Sequence, residues 1–285
     1  MRRTVVITGG SKGIGFHTAK QFALQGWNVG ICGRNLIDVV RAKDEIEESC
    51  DSKVFGFAAD VSSESEMVSF AKQSAQCFGR IDALICNAAI LGPVGNFSSI
   101  NILDIEKTLS VNIFGSYNSI SAFWPYLSQS SSPRVIVVSG GGLGGPKQIQ
   151  RAPAYVPSKA ALGLLVEILA EDLKSINGSI ISVAPGGVIP TDFLKNVLDA
   201  GVQSAGDSLF ADAIYQQEAD VNSSLDDFYT LLNFLMTEYG LDLNGRILSA
   251  KWNQVDELRQ ELVQGMDSNT YRLRRIDNKL YRSIK

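Results

Sequence analysis

Thr4-Val5-Val6-Ile7-Thr8-Gly9-Gly10-Ser11-Lys12-Gly13-Ile14-Gly15 is a β-branched run that breaks into glycines, and a helical pattern follows from Phe16 to Gln25. A short apolar, β-branched run reads as a buried strand. Strand, glycine turn and helix in that order build a phosphate cradle. The glycines let the backbone turn tightly and approach a pyrophosphate, which is held by the outward-pointing N–H groups at the helix N-terminus. Gly9, Ser11, Lys12, Gly13, Ile14 and Gly15 are the first candidate nucleotide contacts.

Outward from that unit, strand-like and helix-like stretches alternate, as a parallel sheet requires. Expected strands are Thr4–Thr8, Asn28–Cys32, Lys53–Ala58, Ala83–Cys86, Arg134–Val138, Ser179–Val183 and Arg246–Ser249. Expected helices are Phe16–Gln25, Leu36–Glu48, Ser63–Phe78, Ile102–Leu127, Ala154–Ile176 and Leu225–Thr237. The strands are near-continuously apolar, which fits burial on both faces. The 285 residues suit a single α/β domain, and a hydrophobic content of 45% can fill its core. A net charge of −4 argues against a nucleic-acid binder. With a first strand at Thr4, no signal peptide is expected, and no apolar run reaches membrane-spanning length. Cys32, Cys50, Cys77 and Cys86 lack Cys-x-x-Cys spacing and read as reduced thiols of a cytoplasmic protein. One histidine, His17, leaves little material for a metal site or a Ser-His-Asp triad.

Tyr155-Val156-Pro157-Ser158-Lys159 places a phenol and an ammonium four residues apart. On a helix that spacing puts both on one face. A phenol ordinarily titrates near 10, and an adjacent cation draws that value down. A phenol tuned in this way can move the proton that accompanies hydride transfer to a carbonyl. The same spacing also occurs on ordinary amphipathic helices, so it gains meaning from the nucleotide site that precedes it.

Thr8-Gly9-x-x-x-Gly13-x-Gly15, Asn87-Ala88-Ala89, Asn112, Tyr155-x-x-x-Lys159 and Pro185-Gly186 together resemble the short-chain dehydrogenase/reductase family, in its compact single-domain branch, over about residues 4–250. The resemblance implies an α/β fold, a Rossmann-like, doubly wound parallel β-sheet of about seven strands with helices on both faces. It implies an NAD(P)-dependent oxidoreductase acting on a carbonyl or secondary alcohol of a small metabolite. Tyr155 would be the general acid/base, Lys159 would bond the nicotinamide ribose and acidify the phenol, and Asn112 would support a water chain to that lysine. Asn87 and Ala88 would order the backbone near the cofactor, Asp60 with Val61 would meet the adenine, and Pro185, Gly186, Val188 and Thr191 would border the nicotinamide. A departure follows the fifth strand. The family carries a serine pair there, but this chain reads Ser139-Gly140-Gly141-Gly142, with glycine at the catalytic serine's place. The glycines could turn Ser139 inward to polarise the substrate oxygen; otherwise a backbone N–H or a water would do so. That departure also keeps open a nucleotide-binding sensor or partner-binding protein with feeble catalysis.

Charge bears on the choice of cofactor. NAD preference calls for an acidic residue at the end of the second strand, on the ribose 2′-hydroxyl. This strand ends Cys32-Gly33-Arg34, and Lys12 lies in the glycine turn. An arginine fork suits a 2′-phosphate, so NADP(H) is favoured over NAD(H), unless Arg34 is merely a solvated loop residue. Residues 189–224 would form the substrate lid, made acidic by Asp192, Asp199, Asp207, Asp212, Glu218 and Asp220. Residues 1–253 read as the oxidoreductase domain and 254–285 as an extension, whose stretch from Tyr271 to Lys285 holds six basic residues against Asp277. That end could meet an anionic substrate group, a neighbouring subunit or only water. Ala160-Ala161-Leu162-Gly163-Leu164-Leu165-Val166 is apolar nearly all round, so this helix needs cover on two sides, one from the sheet and one from a partner in a homodimer or homotetramer.

Overall fold

The computed structural model describes residues 2–140, 150–186, 192–206, 210, 213–214 and 221–273. Gly141 and Gly142, Val188 and Thr191, the side chain of Asp192, the lid acids Asp207, Asp212, Glu218 and Asp220, and the basic run from Arg274 onward lie outside the described residues.

β1 (Thr4–Thr8), β2 (Asn28–Gly33), β3 (Val54–Ala58), β4 (Ala83–Cys86), β5 (Arg134–Val138), β6 (Ser179–Ala184) and β7 (Ile247–Ser249) form one 7-stranded sheet, in the order β3-β2-β1-β4-β5-β6-β7. Every pairing is parallel. Alternate strand residues serve opposite faces, as the pleat dictates. Val5, Ile7, Ile136 and Val138 face one core, covered by α1 (Gly13–Leu24), α2 (Leu36–Glu48) and α8 (Val221–Leu235). Val6, Leu84, Val135 and Val137 face the other, covered by α3 (Glu64–Phe78), α5 (Gly115–Leu127) and α6 (Tyr155–Ser175). The fold is Rossmann-like and doubly wound. Strand order reverses at β1, and such a switch point opens a crevice at the carboxyl ends of β1 and β4.

Several element limits follow from local chemistry. α2 starts at Leu36 because the Asn35 side chain accepts hydrogen bonds from the Ile37 and Asp38 N–H groups, and Ser63 caps α3 rather than joining it. α1 starts at Gly13, ahead of Phe16, because the glycine turn itself winds into the first helical turn. The expected helix over Ile102–Leu127 is α4 (Ile102–Leu109), a π turn (Ser110–Phe114) and α5.

Among the described residues, three α-helices have no counterpart in the sequence reading: α7 (Asp192–Ala205, broken at Gly201), α9 (Tyr239–Asp242) and α10 (Val255–Gln264). α10 inserts Leu258, fully buried, into the core. Beyond it the Tyr271 carbonyl accepts a 2.7 Å bond from Ile247 N, and Arg272 pairs with Glu167 of α6 at 3.1 Å. The extension up to residue 273 therefore covers the β7 edge, where an uncovered strand would present unpaired N–H groups.

Candidate active site

The glycine turn leaves β1 at the crevice. Gly9 (φ 64) and Gly13 (φ 53) hold left-handed backbone that side chains disfavour. A Cβ on Gly15 would lie 2.3 Å from the Gly9 carbonyl oxygen and 2.5 Å from Asn87 Nδ2. The close approach of helix and turn thus depends on glycine at that position. Lys12 precedes α1 in extended backbone and gives the helix no side-chain cap, and its first turn holds no acidic residue. First-turn N–H groups without a side-chain cap, beside a backbone that admits no Cβ at Gly15, fit a dinucleotide pyrophosphate.

β4 is tied to this turn. Thr8 Oγ1 accepts from the N–H groups of Asn87 and Ala88, and Asn87 Nδ2 donates to the carbonyls of Thr8 and Gly9. Thr8 was read from sequence only as the head of the glycine motif, and the bonds that its hydroxyl accepts from β4 were not anticipated.

Around the expected adenosine end, Arg34 is exposed and makes no ion pair among the described residues. Lys12 differs from expectation. Its ammonium pairs with Asp38 at 2.7 Å, and Asp38 also meets Arg41 at 3.3 Å. Lys12 and Arg41 therefore share one carboxylate. Ser11 packs against Gly33, where a Cβ would lie 2.5 Å from its hydroxyl. Ile14 is part-buried against the core, and Val61 is buried beside Gly115. Asp60 Oδ1 folds back to accept from the Ser62 N–H and hydroxyl at 2.9 and 2.7 Å.

Tyr155 opens α6, and Lys159, one turn later, is 2% exposed. Lys159 Nζ donates to the Val138 carbonyl at 2.8 Å and lies 5.6 Å from the Tyr155 ring centroid. Burial pushes the Tyr155 phenol up to about 12 and Lys159 down to about 8. Desolvation thus opposes the acidification expected of this pair. The ammonium is turned onto a carbonyl, and loss of solvent governs the tyrosine.

Asn112 sits in the π turn, a distortion frequent at functional sites. Its Oδ1 accepts from Ile90 N at 2.8 Å, and its Nδ2 donates to Ile90 O and to Ser158 Oγ, both at 2.9 Å. Ser158 Oγ in turn donates to the Tyr155 carbonyl at 2.6 Å. Asn112 thus reaches α6 through Ser158, a link that sequence reading missed although Ser158 lies inside the Tyr-x-x-x-Lys stretch.

Ser139 is 2% exposed, and its hydroxyl has no hydrogen-bond partner among the described residues. Gly140 faces the phenol: a Cβ there would lie 2.4 Å from the Tyr155 hydroxyl oxygen. Pro185 (buried) and Gly186 (φ 87) follow β6 at the same edge of the sheet. α7 contributes Val197 and Ala205 to a small apolar cluster with Leu91, Ala152, Tyr155 and Val156, so this helix roofs the tyrosine.

The family model for short chain dehydrogenases matches residues 3–200. The chain belongs to the short-chain dehydrogenase/reductase family. An uncharacterized oxidoreductase of Thermotoga maritima is 34% identical to this family member over 187 residues, 65% of this chain and 71% of that one. Levodione reductase of Leifsonia aquatica is 26% identical over 65% of this chain and 69% of its own. Among solved structures, a 3-ketoacyl-ACP reductase from Sinorhizobium meliloti superposes with a TM-score of 0.70 at 25% identity, covering 86% of this chain and 96% of its own. NAD+-bound xylitol dehydrogenase, at 21% identity and a TM-score of 0.75 over 87% of this chain and 96% of its own, shares the fold. This dehydrogenase/reductase is thus an oxidoreductase of a family that uses NAD(P)(H). No helix among its described residues is long and apolar enough to cross a membrane.

Proposed function

We propose that this enzyme is an NADP-dependent carbonyl reductase or secondary-alcohol dehydrogenase acting on a small metabolite. The observation that carries the reading is the convergence of Tyr155, Lys159 and the Asn112–Ser158 link at the carboxyl edge of the sheet, beside the turn that Asn87 locks. The nicotinamide, when bound, supplies the hydride to the carbonyl carbon. Tyr155 gives its phenolic proton to the carbonyl oxygen, which completes the alcohol. A phenol held up to about 12 keeps its proton at neutral pH and is still more acidic than an alcohol, so it can protonate the alkoxide that develops as the hydride arrives. Lys159, at about 8, keeps a proton at neutral pH and is soft enough to return it to the phenolate. Pro185 and Gly186, with Val188 and Thr191 after them, are assigned to the nicotinamide side, and Asp60 with Val61 to the adenine side.

NADP preference rests on Arg34, which is exposed and has no ionic partner among the described residues, and on Lys12, whose ammonium shares the Asp38 carboxylate with Arg41. Residues 1–253 form the oxidoreductase unit in this proposal, with 189–224 as the lid and 254–285 as an extension. Exposed apolar side chains on the π turn, α5 and α6, namely Phe114, Tyr117, Leu164 and Ile168, are assigned to a self-complementary contact in a homodimer or homotetramer. Four free cysteines suit a reducing cytoplasmic compartment. Glycine at position 140 favours one rival, a nucleotide-binding sensor with feeble turnover.

The test is oxidation of NADPH and of NADH with a panel of ketones and aldehydes, alongside binding of both cofactors and the Tyr155→Phe variant. Turnover that Tyr155→Phe abolishes while cofactor binding persists supports the enzyme. Tight cofactor binding with no turnover on any carbonyl supports the sensor.

A further inference from the structure

Position 140 is where this chain departs from the family's serine pair, and the structure shows what fills the space. A Cβ on Gly140 would stand 2.4 Å from the Tyr155 hydroxyl oxygen, 3.1 Å from Cζ and 3.2 Å from Cε1. Separations under about 3.0 Å do not occur for real Cβ atoms, and a packed interior yields to an added methyl group only by displacing its neighbours. The obstacle is the rigid end of a phenol, not a flexible tip. Tyr155 is itself held: Ser158 bonds its backbone carbonyl, Asn112 bonds Ser158, and its side chain packs against the apolar cluster of Leu91, Ala152, Val197 and Ala205. The neighbouring Ser139 hydroxyl is buried and makes no hydrogen bond among the described residues.

We propose that Gly140 is a positioning residue: its missing side chain is the space the Tyr155 hydroxyl occupies. The inference rests on the reading of Tyr155 as the general acid. It predicts that restoring the family's serine harms the enzyme instead of helping it.

The experiment compares the wild type, Gly140→Ala, Gly140→Ser, Tyr155→Phe and the double variant Gly140→Ser/Tyr155→Phe, by steady-state reduction, NADPH affinity and melting temperature. Gly140→Ala and Gly140→Ser are both expected to lose kcat by roughly 100-fold, the scale of a misplaced reacting group, with NADPH affinity unchanged. Gly140→Ser is expected to lower the melting temperature by several degrees in the wild type and by clearly less in Tyr155→Phe, where the crowded oxygen is gone. Gly140→Ser turnover at or above the wild-type level, or additive melting shifts in the double variant, would overturn the proposal. A wild type that reduces no carbonyl, yet shows the non-additive melting, would refute the enzymatic reading and leave the steric assignment supported.

Discussion

Replacing Lys159 by methionine keeps an unbranched chain of similar length and removes a charge from a site only 2% exposed. Burial lowers this lysine from its ordinary 10.5 to about 8. Below pH 8 the folded and unfolded chains both carry the proton, and the folded state bears the full cost of a buried ammonium. Between about 8 and 10.5 the folded state has released the proton while the unfolded state still holds it, so stability rises with pH across that window. The integrated effect is about 3 kcal/mol. Methionine has nothing to titrate. The lost bond to the Val138 carbonyl shifts the comparison by a fixed amount without altering its slope, and Tyr155 titrates in both proteins. Urea unfolding at intervals from pH 7 to 10.5, followed by tryptophan fluorescence, measures both stabilities. Any advantage of Lys159→Met over the wild type should shrink by about 3 kcal/mol over that range. A difference that stays constant with pH would refute the assignment of a desolvated, depressed lysine.

Further outcomes are expected at other positions. Reductase turnover should decline as pH rises through about 8, because Lys159 gives up its proton there while Tyr155, held near 12, keeps its own; a pH–rate profile checks this. Gly15→Ala forces a Cβ to within 2.3 Å of the Gly9 carbonyl oxygen and should weaken dinucleotide binding by about 1–3 kcal/mol, read by fluorescence titration. Arg34→Ala should weaken NADPH by about 1–3 kcal/mol and leave NADH nearly unaltered, since only the 2′-phosphate loses a partner. Leu258→Ala should cost about 2–5 kcal/mol in denaturant unfolding, because that side chain is fully buried although it lies in the extension.

The sequence by itself determined the sheet and the order of the site along the chain. The limits of β1, β4 and β5 and of α2 agree with those expected, because apolar β-branched runs and an Asn cap are local signals. The glycine turn and the Tyr155–Lys159 spacing were legible for the same reason: each is a short-range requirement written within a few residues. α7, α9 and α10 were not legible, because their helicity draws on faces packed against distant elements, as with Val197 in the apolar cluster that Tyr155 packs against or Leu258 in the core. The π turn at Asn112 was hidden likewise, since its side chain answers to Ile90 and Ser158 rather than to its own helix. Only tertiary structure decided that Lys12 is held by Asp38, that Lys159 turns to the Val138 carbonyl, and that the phenol fills the place of a side chain at position 140. Charge balance and solvent exclusion depend on which groups the fold brings within a few ångströms, and spacing along the chain does not carry that information.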